Sequence, residues 1–394
     1  MNTLYPPTTV GGAERSVAVL AEALAAAGDD VHVIALDDCA QQSTQVVNGV
    51  TVHRLPHANI YWPFEDDARP SLAERAGWHL KDRGSAPVTD HVATLLRELR
   101  PDVLHTNNLS GFGSAIIPLA RDLKIPVVHT LRDFSLLCAR SSLFRSGKDC
   151  TGRCLSCRML TGPRMQAAEG AQIVVGNSRY MVDRHRAEGL FARTAARTIY
   201  NAVPDIAGGK LTPERKESTP LRIGFMGAIK AEKGIEQLLG ACRALPVSDW
   251  RLVIAGKGDE NYVKGLKASH ADLPIDWLGF VAAERFYAES DLVVIPSIWP
   301  EPMPRTLIET MVNGLPVLVA DAGGAPEVAQ AYPNATIYPR RDTGALAKLL
   351  TDAISQRPPR VQPDREIRAA FGAKRLAAEY REAYHAAITQ VANG

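Results

Sequence analysis

Nowhere in the 394 residues does an apolar stretch approach the roughly 20 residues needed for a membrane-spanning helix. Nothing at the start reads as a signal peptide, because MNTLY runs directly into PPTTVGG. Charge of one sign is also missing: a formal net charge of +2 argues against an overall nucleic-acid binder. No D-x-D triplet offers a paired carboxylate site for a catalytic metal. AGKGDE (255–260) has a G-x-G but lacks the third glycine of a dinucleotide fingerprint, which disfavours a nicotinamide cofactor. What is left is a cytoplasmic globular protein, free to touch a membrane surface, and long enough for two domains.

Short β-branched runs alternate with helical stretches, the pattern of parallel sheets wound on both faces. The first series is DVHVIAL (30–36), DVLHTN (102–107), PVVHTL (126–131), QIVVGNS (172–178) and TIYNAV (198–203). The second is LRIGFMG (221–227), RLVIAGKG (251–258), IDWLGF (275–280), DLVVIPS (291–297) and PVLVAD (316–321). Between them PDIAGGKLTPERKESTP (204–220) has the composition of a linker. The expected fold class is α/β, with two facing doubly wound (Rossmann-like) domains over residues 1–203 and 204–369. Ligands in such sheets lie at the carboxyl ends of the strands, so two facing domains should share one cleft. MNTLY is barely half a strand: either the first strand is very short, or the true start lies upstream.

Three glycine turns open helices. GGAERSVAVLAEALAAAG (11–28) begins with Gly11 and Gly12 and ends at Gly28, its expected C-cap. GFMGAIKAEKG (224–234) carries Gly227 and would project Lys233 towards a ligand, unless Lys233 is an ordinary solvated lysine. VADAGGAPE (319–327) supplies Gly323 and Gly324 before Pro326, another turn suited to an anion.

EPMPRTLIE (301–309) places Glu301 and Glu309 eight positions apart. On one helix they would stand roughly 80° apart around the axis, so they would not share a face. Pro304 suits a helix start instead, with Glu301 in the loop before it and Glu309 at least one turn inside.

E-x7-E followed by G-L-P-V and A-G-G-x-P-E resembles the donor site of the retaining glycosyltransferases of family 4, which have the GT-B fold. GGAE, the HTNN and VVHTLRDF strand ends, NAV before the linker, K-G at 233–234 and G-K-G at 256–258 extend the resemblance over most of the chain. It implies that the last helix, about 370–394, crosses back onto the first domain. It implies transfer, with retention and without a catalytic metal, of a sugar from a nucleotide-diphosphate sugar to an acceptor hydroxyl. The acceptor would be a glycan or lipid-linked precursor. By the same resemblance Glu309 accepts hydrogen bonds from ribose hydroxyls, Glu301 faces the donor sugar and Lys233 clamps the diphosphate. Gly11 and Gly12 approach the donor from the first domain, while Gly227, Gly323 and Gly324 border it in the second.

This chain departs from the family pattern at three places. Ala228, not arginine, follows Gly227, with Lys230 nearby. Thr130-Leu131-Arg132-Asp133 stands where T-x-H-D is common, which puts Arg132 in the histidine's slot and makes it a catalytic candidate. Met303-Pro304-Arg305-Thr306 replaces a common Phe-Gly-Leu-Val. These departures bear on sugar identity, and they keep two rivals open: a sugar-nucleotide epimerase of the same architecture, and a non-catalytic partner subunit that binds nucleotide sugar.

Cys39 and Cys242 stand alone, as small core residues do. Cys138, Cys150, Cys154 and Cys157 are clustered as C-x11-C-x3-C-x2-C, which fits either a closed structural zinc site or reduced thiols in a loop. The same segment carries Arg140, Arg145, Lys148, Arg153, Arg158 and Arg164 against Asp149 alone. It suits an anionic membrane surface or lipid-linked phosphate, the alternative being a solvated basic loop.

Overall fold

The computed structural model describes residues 1–8, 11–64, 70–84, 86–204, 220–246, 249–361 and 365–393. Nearly all of the 204–220 stretch therefore lies outside the described residues. The chain divides into two compact units: Met1–Leu143 with Cys150–Pro204 and Gly372–Gly394, and Phe144–Asp149 with Asp205–Phe371.

In the first unit β1 (His32–Asp37) pairs in parallel with β3 (Val50–Pro56), which pairs antiparallel with β2 (Ser43–Val47). The β2–β3 turn is Asn48-Gly49, both at positive φ (51° and 81°), as a two-residue hairpin turn requires. A second, wholly parallel sheet runs β4 (Leu104–Thr106), β5 (Val127–Leu131), β8 (Ile173–Gly176) and β9 (Ala195–Thr198). The first residues join the two. Asn2 N–H donates to Ile34 O and Leu36 N–H to Thr3 O on one side; Asn107 N–H donates to Met1 O and Thr3 N–H to Asn108 O on the other. MNTLY is thus a short central strand in all but ladder length, with Leu4 and Tyr5 buried.

β5 and β8 are buried along their whole length, which is why they read as unbroken apolar runs. One expectation is corrected here. The fifth strand is β9, which keeps one further bond, from Ile199 N–H to Gly176 O, and residues 200–203 of TIYNAV lie beyond it. Ile199 and Ala202 pack beside the last helix. That helix, Ala373–Ala392, presents Leu376, Tyr380, Ala383 and Ala387 on one stripe to Val19, Leu20 and Leu24 of helix Gly12–Ala26. Arg381 fixes its register through a two-pronged bond to Asp29.

The second unit contains the small hairpin β6 (Phe144–Arg145) and β7 (Lys148–Asp149), and a six-stranded parallel sheet. Its strands are β10 (Leu221–Met226), β11 (Trp250–Ala255), β12 (Ile275–Gly279), β13 (Leu292–Ile295), β14 (Val317–Ala320) and β15 (Ala335–Tyr338). They lie in the order β12-β11-β10-β13-β14-β15. The winding reverses between β10 and β13, and ligands of open α/β sheets bind outside the strand ends at such a switch point. Among the described residues no helix is long and apolar enough to cross a membrane.

Candidate active site

The loops that leave β10 and β13, on either side of the switch point, carry Lys233 and Glu301. Lys233 ends the short turn Ala231–Lys233, and Gly234 follows at φ 75°. A side chain at Gly234 would overlap the Pro296 carbonyl just beyond β13, so only glycine lets the two loops close on each other. Lys233 Nζ then pairs with Glu301 Oε1 and sits 5.4 Å above the Trp299 ring. The other oxygen, Glu301 Oε2, accepts from the Ser297 hydroxyl at 2.6 Å. Glu301 is 8% exposed, and both of its carboxylate oxygens have partners, as a buried carboxylate requires.

The β14 turn completes this cluster. Gly324 N–H donates to Glu301 O at 2.9 Å, and Gly323 has φ 61°, where a Cβ would overlap the Glu301 backbone. A Cβ at Gly227 would meet nothing within 4 Å among the described residues, which leaves open space over the end of β10. Ala228 and Lys230 are exposed.

Pro304 caps helix Arg305–Val312, with Glu301 in the loop before it and Glu309 in its second turn. Glu309 Oε1 accepts from Arg305 at 3.0 Å, and Oε2 accepts from the Tyr287 hydroxyl at 3.0 Å. Burial, then the Glu309 charge, holds the Tyr287 phenol well above its ordinary pKa, so it remains a donor. Ser297, Trp299, Tyr287 and Arg305 were not singled out from sequence. Ser297 had a readable signal, since it ends the DLVVIPS strand four residues before Glu301.

The first unit holds the remaining candidates. Gly11 is the extended N-cap of helix Gly12–Ala26, and its N–H donates to Glu14 at 2.9 Å. Gly28 follows the C-cap at φ 92°. Arg132 is buried, its Nε donating to Asn107 Oδ1 at 2.7 Å and Nη1 to Asn201 Oδ1 at 2.8 Å. Both acceptors are neutral, so the guanidinium charge is solvated by dipoles and not cancelled by them. Beside it a hollow of about 10 Å³, lined in part by His129, Asp133 and Ser135, has room for one water and no sugar. His129 bonds Thr106 Oγ1 at 2.8 Å. Its burial, with His185 nearby, lowers it to about 3, so it is a neutral core residue.

All six cysteines are free thiols. Cys138 and Cys157 are buried, Cys150 is half-buried and Cys154 is exposed at the N-cap of helix Leu155–Ala168. The helix turns Cys157 inward, where its side chain contacts Cys138 and Cys154. Among the described residues no three or more Cys, His, Asp or Glu side chains are grouped to hold a metal ion.

Residues 11–202 match the family model for a glycosyl transferase 4-like domain, and residues 211–370 match that for glycosyl transferases group 1. An uncharacterised 42.6 kDa protein in the cps region of Klebsiella pneumoniae is 31% identical over 335 residues, covering 85% of this chain and 87% of that relative. In structure, the chain is similar to sucrose-phosphate synthase from Thermosynechococcus elongatus, with a TM-score of 0.73 and 17% identity, over 98% of this chain and 95% of that one. It is also similar to Anabaena HepE in complex with UDP, with a TM-score of 0.71 and 20% identity, over 97% and 99% of the two chains. The two models together span most of the sequence, and the chain belongs to the group 1 and 4-like glycosyltransferases, with the GT-B fold.

Proposed function

We propose that the protein transfers a sugar, with retention, from a nucleotide-diphosphate sugar to an acceptor hydroxyl, and that its second unit binds the donor. The observation that carries this reading is the Lys233–Glu301–Ser297 cluster at the β10/β13 switch point, closed by the Gly323-Gly324 turn. A diphosphate entering there gives Lys233 a second oxyanion partner and the turn a ligand for its amides. As the diphosphate leaves, its charge grows, and a fixed ammonium stabilises that developing charge more than the ground state. Glu301, held from both oxygens, is positioned to accept from donor-sugar hydroxyls. Glu309, one helical turn deeper, takes the ribose end. The departing diphosphate can itself take up the acceptor proton on the face it leaves, so no second carboxylate is required for retention. Lys233 supplies the positive charge, which removes the need for a catalytic metal. The roles of Gly11, Gly12, Gly227 and Arg132 rest on the family resemblance.

For the acceptor we propose a glycan or lipid-linked precursor met at the cytoplasmic face of an anionic membrane. Leu155 and Met159, one turn apart on helix Leu155–Ala168, are 75% and 61% exposed, and Arg140 and Arg158 are exposed in the same segment. Apolar side chains flanked by cations suit a headgroup surface.

A thermal-shift comparison of UDP, GDP and ADP sugars, followed by acceptor-dependent release of nucleotide, tests the reading. Stabilisation by one nucleotide sugar and release only with acceptor are expected. Tight binding without turnover in a broad acceptor screen, or conversion of the donor with no acceptor present, overturns it.

A further inference from the structure

Cys154 and Cys157, both in the first unit, resemble each other in nothing but the sulfur atom. Cys154 is the extended N-cap of the 14-residue helix Leu155–Ala168, exposed, with Sγ 3.2 Å from the Ser156 hydroxyl. Cys157 is one turn on, 8% exposed, and its side chain contacts both Cys154 and the buried Cys138. Positions i and i+3 bring side chains together on the first turn of a helix, and Cys-X-X-Cys is the spacing at which one thiol activates another. Arg153 is tied across the first turn by bonds to Thr161 Oγ1 and Arg158 O, which adds positive charge beside the free amides of the helix start. An accessible sulfur at a helix N-terminus, backed by a shielded one within reach, has the division of labour of a reactive and a resolving thiol.

We propose that Cys154 and Cys157 form a reversible redox site that reacts with small-molecule disulfides, with Cys154 as the attacking thiol and Cys157 as the resolving one. The Cys154 thiolate attacks one sulfur of RS–SR; the new bond is Cys154–S–S–R, and the expelled RS⁻ takes up the proton Cys154 released. Cys157 then gives up its proton and attacks the Cys154 sulfur. A second RS⁻ leaves and is protonated in turn. Two protein thiols are oxidised to one disulfide and one external disulfide is reduced to two thiols, with no net proton exchanged. Cys39 supplies an internal control, because burial and the Asp37 carboxylate raise its thiol.

The test is peptide mapping after incubation with excess glutathione disulfide, acid quench and alkylation. Wild-type protein should yield a Cys154–Cys157 disulfide that dithiothreitol reverses. Cys157→Ser should stop at the glutathione mixed disulfide on Cys154, and Cys154→Ser should react about tenfold more slowly at the remaining cysteine of the pair. The wild-type map decides by itself if either variant folds poorly, since the cross-link is read without substitution. Equal modification of Cys39 and Cys154, a lasting unresolved adduct on wild-type Cys154, or co-purifying zinc that shields both thiols until chelated would each overturn the proposal.

Discussion

Polar chemistry is placed in opposite ways in the two units. In the second, Lys233, Glu301, Ser297 and Glu309 stand in loops or a short helix beyond the ends of one uninterrupted parallel sheet. In the first, His105 and Thr130 lie within the strands themselves, joined to each other and to Tyr384 and Tyr380 of the last helix by hydrogen bonds of 2.7–3.1 Å, and His129 bonds Thr106 of the neighbouring strand. Exposed apolar groups divide the same way. Among the described residues Val46, Ile60, Leu72, Leu80, Leu155 and Met159 belong to the first unit, and Phe280 alone to the second. Buried neutral polar groups rigidify a sheet but gain nothing from a ligand, whereas paired charges at strand ends can exchange one partner for another. On the proposed function, this contrast suits the second unit to bind and release a charged ligand, and the first to hold its shape while offering its surface.

Acid should separate the units most strongly. Burial lowers His129 to about 3 and His185 to about 4, and His185 Nε2 has no hydrogen-bond partner among the described residues. Between those values and the unfolded histidine pKa of about 6.5, the unfolded chain binds more protons, so stability falls as pH drops through this window. At pH 5 the two residues together cost about 4 kcal/mol, at about 1.4 kcal/mol per unit each. Asp133, raised by its burial, offsets part of that loss at still lower pH. The second unit has one histidine, the half-buried His270. Calorimetry at pH 7 and pH 5 should show the first unit's transition moving down much further than the second's. Parallel movement of both would end the contrast.

Lys233→Ala sharpens the contrast from the other side. Loss of a cation that acts on the leaving group should lower kcat by about 100-fold or more, while Lys230→Ala changes it little. A tenfold or smaller effect at Lys233 would move that role to another cation, with the buried Arg132 the first to examine.

How much of this could be read beforehand depended on how local each cause is. In the second unit β10, β11, β13 and β14 were legible because each is a short, largely buried β-branched run. The half-buried β12 was read with them, and β15, with only Tyr338 buried, was not read. The Glu301 loop and Glu309 helix were legible because Pro304 fixes where the helix starts. The partners of those glutamates were only partly legible. Arg305 stands four residues before Glu309 on the same helix, a local cue, whereas Tyr287 reaches Glu309 from another helix, 22 residues away. The β2–β3 hairpin was a missed signal, since Asn48-Gly49 between alternating residues is a local cue. The cysteine spacing predicted proximity, and Cys157 does contact Cys138 and Cys154, but it carried no information on exposure: the helix that begins at Leu155 buries Cys157 and leaves Cys154 at the surface.

Glu309→Ala should weaken nucleotide binding by about 1.5–3 kcal/mol, the range for hydrogen bonds to a charged group. Glu301→Gln should leave nucleoside-diphosphate affinity nearly intact and reduce turnover, because it serves the sugar end. Titration calorimetry with free nucleotide, set beside turnover, separates the two. Equal affinity losses would show that the carboxylates do not divide the donor between them.

The smallest effect belongs to the surface of the first unit. Arg140 is exposed in the basic segment, and a single cation near an anionic bilayer contributes about 1 kcal/mol. Arg140→Ala should therefore weaken binding to phosphatidylserine-containing vesicles about fivefold at low salt, with the difference shrinking as ionic strength rises and screening shortens. Replacing Leu155 and Met159 by serine should weaken the same binding without that salt dependence, because apolar contact is not screened. Lys257→Ala, beside the exposed Phe280 of the second unit, is the control and should change nothing. A matching loss there would mean that both units offer a membrane surface, and that the separation of a binding unit from a docking unit does not hold.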